Sequence, residues 1–184
     1  NAGKVYGPKG VAALWASHSV RLRPILVGGG QEKGLRSGTE NVAGVIGFAA
    51  AIQDAEKHLQ SERKRIMILR DLMRKLLSTD SDITFLANPK TQLVNFLPIS
   101  IKNIDAERLI FKLEQKSLFV STGAACSASK GQKSRTLQAI GLSDSDIAGS
   151  LRITLGKLNN EDDIRLGAKL ILKAISEERE RQSK

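Results

Sequence analysis

The sequence predicts an α/β fold with helices packed against one sheet. Three observations carry that expectation. Short apolar runs have strand length, longer stretches place apolar residues three and four apart, and the two kinds alternate from about residue 80 onward. At 41% hydrophobic and 26% charged residues, the 184-residue chain has enough apolar matter for a core and is unlike a disordered tail.

The elements follow in order. Asn1 and Ala2 resemble residues left by a cleaved tag and are set aside. Val11 to Ala16, bounded by Gly10 and Ser17, reads as a buried strand, and Pro24-Ile-Leu-Val27 as a second short apolar run ended by three glycines. A polar loop then reaches Thr39, placed to cap the next helix. From Asn41 the pattern is helical. Val42, Val45, Ile46, Ala49 and Ile52, then Ile66, Leu69, Met73 and Leu76, keep helical spacing, as one bent helix or two with a joint at His58–Ser61.

Asp82–Leu86 and Leu93–Ile101 read as strands, and Asp105 caps a helix bearing Leu109, Ile110 and Leu113. Leu118–Val120 reads as a strand entering the small-residue turn Ser121–Cys126, and Leu151–Leu155 as another. Asn160 caps a closing helix with the stripe Ile164, Ala168, Ile171 and Ile175, and Glu177–Lys184 reads as a frayed charged end.

Composition limits the function classes. No apolar run approaches the ~18 residues of a helical membrane span, so no membrane partner is expected. One cysteine excludes an intramolecular disulfide and a Cys-rich zinc site, and fits a reducing compartment. Lys and Arg total 29 against 19 Asp and Glu, for a net charge of +10. A basic, non-enzymatic nucleic-acid-binding module is therefore the rival from another class. No recognition motif accompanies the charge, and with Trp15, Tyr6 and five Phe there is little for a stacking platform, so nucleic acid is not the expected partner.

Four places hold residues suited to chemistry. Cys126 follows a strand within Gly, Ala and Ser, with Lys130, Lys133 and Arg135 nearby. Cations stabilise a thiolate and a loop gives access, although a lone Cys is also read as a small buried hydrophobe. Lys4 precedes the turn Tyr6-Gly-Pro-Lys-Gly10, where a lysine serves either as a Schiff-base amine or simply as a solvated charge. Arg152 is the one charge in the strand Ser150-Leu-Arg-Ile-Thr-Leu-Gly156. It suits bidentate capture of a carboxylate, or lies on an edge strand in water. The loop Gly28–Thr39 offers backbone N–H groups, an arginine and a hydroxyl for a phosphate, or merely turns the chain. Neither His18 nor His58 has a partner at metal-ligand spacing, so no metal is expected.

Taken together, four segments are more specific than any one. Lys4 with Tyr6–Gly10, Gly28–Asn41, Ser121-Thr-Gly-Ala-Ala-Cys126 and Ser150-Leu-Arg152 through Gly156 occur in order at consistent intervals. The chain resembles the C-terminal half of a cysteine desulfurase of the NifS/IscS kind, in the class-V aminotransferase family, which uses pyridoxal 5'-phosphate (PLP) on fold type I. The resemblance covers nearly the whole chain. It implies a remnant of the PLP-binding large domain over 1–40, connecting helices over 41–78 and a small α/β domain over 79–184 carrying the cysteine loop.

The resemblance also implies roles. Lys4 resembles the lysine that binds PLP covalently, and Thr39 the threonine that reaches the cofactor phosphate of the partner subunit in a homodimer. Arg152 resembles the arginine on the substrate carboxylate, and Cys126 the nucleophile that takes sulfur from L-cysteine as a persulfide. L-Alanine is then the product, and an acceptor such as an iron–sulfur scaffold takes the sulfur, for clusters or thiolated tRNA. A selenocysteine lyase would use the same residues. A cytoplasmic or organellar-matrix location is implied. Asn1, Ala2 and Gly3 stand where the family shows a Ser and a His, and the family's N-terminal half is not in this chain. The expectation is that the chain alone neither holds PLP tightly nor desulfurates cysteine.

Overall fold

The computed structural model describes residues 1–88, 90–122 and 134–183. The chain divides into two compact units, 1–60 and 61–184. Helix α1, Val42–Leu77, belongs to both. It is one unbroken helix of 36 residues. No Gly or Pro lies between His58 and Ser61, so nothing there interrupts the i→i−4 ladder. Its cap is Asn41, whose Oδ1 accepts from Gly44 N–H at 3.0 Å. Thr39 was the expected cap. An N-cap side chain reaches the amide three residues on, which puts Asn41 at the required distance and Thr39 two residues too early.

In the 1–60 unit, two 3-10 turns, Ala2–Val5 and Glu32–Gly34, are the regular structure found before α1 among the described residues. The strands expected at Val11–Ala16 and 24–27 do not form. Leu14, Trp15, Ile25 and Val27 lie 79%, 86%, 95% and 80% exposed. A strand exists only by pairing its backbone with a neighbour, and no neighbouring strand lies in this unit.

The 61–184 unit holds a four-stranded antiparallel sheet: β1 Ile83–Phe85, β2 Phe96–Ile101, β3 Ser121–Thr122 and β4 Ser150–Thr154, in the spatial order β1-β2-β4-β3. Helices α2 Ala106–Glu114, α3 Arg135–Ala139, α4 Asp144–Ala148 and α5 Glu161–Gln182 complete it. The register opposes Leu97 to Ile153 and Ile99 to Leu151, so one face presents aliphatic side chains. Ile66, Leu69, Met73 and Leu77 of α1, Leu109 and Leu113 of α2, and Ile164, Ile171 and Ile175 of α5 bury against that face. Each fully buried Leu or Ile contributes roughly 1.5–3 kcal/mol.

The caps expected of Asp105 and Asn160 are present. Asp105 Oδ1 accepts from Glu107 N–H at 2.9 Å, and Asn160 and Asp163 form a reciprocal capping box, both bonds 3.0 Å. The strand expected at Leu118–Val120 is instead irregular. Leu118 N–H returns to the Leu113 carbonyl at 3.0 Å, with Ser117 left-handed at φ 59°, so these residues close α2 and the strand starts three residues later.

The closing helix does not fray at Glu177. It runs to Gln182 because Glu178 is fully buried. Its carboxylate meets Arg181 at 2.7 Å, Lys112 at 2.9 Å and Arg108 at 3.1 Å. Hydrogen bonds from Arg181 and then Lys112 hold its pKa down to about 2 against the opposing effect of burial. One residue on, Arg179 bonds Asp80 at 2.8 Å and holds that carboxyl below its usual range. Among the described residues no helix is long and apolar enough to cross a membrane.

Candidate active site

In the 1–60 unit the Lys4 turn is pinned by small residues. Tyr6 takes a left-handed conformation at φ 61°, and Gly7 N–H bonds the Ala2 carbonyl at 2.9 Å. A Cβ on Gly7 would lie 3.0 Å from Ala2 Cβ and 3.1 Å from Ala51 Cβ, and one on Gly47 would lie 3.0 Å from Pro8. Gly47 and Ala51 are four apart, so one face of α1 is kept small where the turn sits. Lys4 projects from this turn into solvent, and among the described residues no acid pairs with it. Thr39 is exposed in the following loop. That loop is closed on itself, with Gln31 Oε1 accepting from Gly38 N–H at 3.0 Å and Arg36 donating to the Ser37 carbonyl at 3.0 Å.

In the 61–184 unit Arg152 sits on β4, which is paired on both sides. The edge-strand alternative is thereby excluded. Its side chain lies on the face opposite the aliphatic core, since Leu151 and Ile153 on either side of it are buried. Pro98 of β2 and Ser121 of β3 stand directly opposite it. Its guanidinium carbon is 5.8 Å from the centre of the Phe96 ring. One end of this face is closed by α4, where Ser100 and Ser150 hydroxyls donate to the Asp146 and Ile147 carbonyls, each at 2.8 Å. Beyond β4, Arg65 of α1 donates to the carbonyls of Asn159, Lys157 and Gly156 at 2.6, 3.1 and 3.3 Å, and Glu62 holds the same guanidinium.

Cys126 lies outside the described residues, as do Lys130 and Lys133. Lys4 and Thr39 fall in one unit and Arg152 in the other. Sequence reading missed Phe96 and Ser121 as neighbours of Arg152, because cross-strand proximity depends on a register no local pattern reveals. It also missed Glu178, although a signal existed. Counting on from Ile171 and Ile175, the next position of the apolar stripe is 178, and an acid there announces a buried partner.

An α/β chain with a small antiparallel sheet and a long helix has counterparts among solved structures. A NifS-like protein superposes with a TM-score of 0.83 at 32% identity, covering 95% of this chain and 45% of the other. The NifS-like protein of Rickettsia africae gives 0.75 at 26%, covering 85% and 41%. The fold is type I of the PLP-dependent enzymes. The model for aminotransferase class V matches residues 1–166, and the chain belongs to that family. Among curated proteins it is 39% identical over 160 residues to cysteine desulfurase IscS 1 of Archaeoglobus fulgidus, covering 87% of this chain and 42% of that one. To cysteine desulfurase IscS of Clostridium botulinum it is 36% identical over 183 residues, covering 98% and 46%. The chain thus spans less than half the length of these relatives.

The residues present fit the family's cofactor in part. PLP needs a primary amine for its covalent link and donors for its phosphate, and Lys4 offers an exposed amine and Thr39 an exposed hydroxyl.

Proposed function

We propose that this chain is the C-terminal part of a PLP-dependent cysteine desulfurase that converts L-cysteine to L-alanine. The observation that carries the reading is the neighbourhood of Arg152. A guanidinium fixed on a central strand suits a bidentate bond to the substrate carboxylate. The strand paired beside it is Ser121–Thr122, and Cys126 follows that strand in the sequence. Cys126 follows Thr122 by four positions, a stretch of chain that spans at most about 14 Å.

PLP, when bound to Lys4, supplies electron withdrawal from the substrate α-carbon. The chain's own residues do the rest. Arg152 orients the substrate by its carboxylate. Cys126, as a thiolate, bonds to the substrate sulfur. The carbon–sulfur bond breaks, the sulfur stays on Cys126 as a persulfide, and the carbon skeleton takes up protons to leave as alanine. Similarity to the IscS proteins supports sulfur transfer to an acceptor such as an iron–sulfur scaffold, and the reading includes a homodimer in which Thr39 serves the partner's cofactor.

The test uses the full-length holoenzyme. Cys126→Ser abolishes sulfide release while the coenzyme absorbance band stays, and a variant that still releases sulfide at the original rate overturns the reading.

A further inference from the structure

Arg152 carries four rotatable side-chain bonds, and an arginine that must meet a carboxylate with both donors loses that freedom on binding. Something that restrains it beforehand raises affinity by lowering that cost. Phe96 is placed to do so. It lies on β2 opposite Thr154, two residues along from Arg152, and Pro98 stands between as the direct partner of Arg152. On one sheet face such a diagonal neighbour is within reach of an aromatic ring and a long side chain. The ring centre is 5.8 Å from the guanidinium carbon, inside the range of cation–π attraction. Leu97 and Ile99 point to the opposite, buried face, so Phe96 shares the face of Arg152 rather than serving the core. On the other side of Arg152 stands Ser121, so apolar and aromatic groups flank one side and a hydroxyl the other.

We infer that Phe96 is a positioning residue for substrate capture, its ring holding the Arg152 guanidinium so that the N–H edge stays turned to a carboxylate. The inference rests on the reading of Arg152 as the carboxylate-binding group. It concerns the amino-acid substrate only, so its effect belongs in binding and not in the chemical step.

The experiment measures KM and kcat for L-cysteine and the calorimetric Kd for L-alanine in the full-length holoenzyme. The variants are Phe96→Leu, Phe96→Met, Phe96→Tyr and Arg152→Lys. Removing the ring with either Leu or Met raises KM and Kd about two- to tenfold with kcat within twofold, and Phe96→Tyr, which keeps the ring face, restores both. Arg152→Lys raises them further. If the ringless variants leave KM and Kd unchanged while Arg152→Lys raises them, the role of Phe96 is wrong and that of Arg152 stands. Should Arg152→Lys change neither constant, both fall together. A drop in kcat that matches the rise in KM and is not restored by tyrosine marks Phe96 as merely structural and overturns the inference. Having two ringless replacements covers the case in which one of them does not fold.

Discussion

Residues 11–27 and residues 96–101 have similar apolar content and opposite fates. Leu97, Ile99 and Ile101 are wholly buried, whereas Leu14, Trp15, Ile25 and Val27 are 79–95% exposed. The second group lacks nothing in its side chains. It lacks backbone partners: β2 has β1 on one side and β4 on the other, and the 1–60 unit has no strand to offer. An extended apolar segment therefore becomes core only where a ladder satisfies the peptide groups between its side chains.

The largest expected effect sets these two regions against each other in the 184-residue chain. Leu97→Ala should lower the stability of the 61–184 unit by about 2–5 kcal/mol in urea unfolding followed by circular dichroism. Trp15→Ala should change it by less than about 0.5 kcal/mol. Equal losses would show that the segment around Trp15 is packed after all.

A smaller effect comes from a backbone contact inside the sheet unit. Gly149 lies so close to the end of β2 that an added Cβ would collide with the Ile101 carbonyl oxygen, and Ile101 N–H bonds the Gly149 carbonyl at 3.0 Å. Gly149→Ala should cost about 1–3 kcal/mol by the same measurement, since backbone rather than a yielding side chain must move. A neutral result would mean that the α4–β4 junction relaxes freely.

Smaller again is the contribution of Glu178. Its folded pKa of about 2 lies below the ordinary 4.5, so the stability it supplies is present above pH 4.5 and is lost as pH falls toward about 2. Glu178→Gln should therefore be less stable than the parent at pH 7 by about 1–2 kcal/mol. The gap should close between pH 4.5 and 2 in thermal unfolding scans. A gap that persists at pH 2 would assign the loss to packing and not to charge.

Much of the small sheet unit was legible in advance because its signals are local. Asp105 and Asn160 announce their helices through amides two and three residues away, and the aliphatic stripes of α1 and α5 keep their period without reference to anything distant. Thr39 misled for a related reason, since a cap is set by its distance to the first free amides and Asn41 met it better. The candidate residues Lys4, Thr39, Cys126 and Arg152 stand out in the sequence one by one, whereas the neighbours of Arg152 do not. Phe96 and Ser121 sit 56 and 31 positions before Arg152 (152 − 96 and 152 − 121), and only pairing across β2, β4 and β3 brings them alongside.

By itself the sequence determined the caps of α2 and α5 and which faces of the long helices turn inward, because each depends on neighbours within a turn or two of chain. The tertiary structure alone decided that β4 is central, that Phe96 stands over Arg152, that Glu178 anchors a helix end, and that the segment 11–27 forms no strand. Those outcomes depend on hydrogen bonds and burial between distant parts of the chain, and no local pattern encodes which distant partner is there to be met.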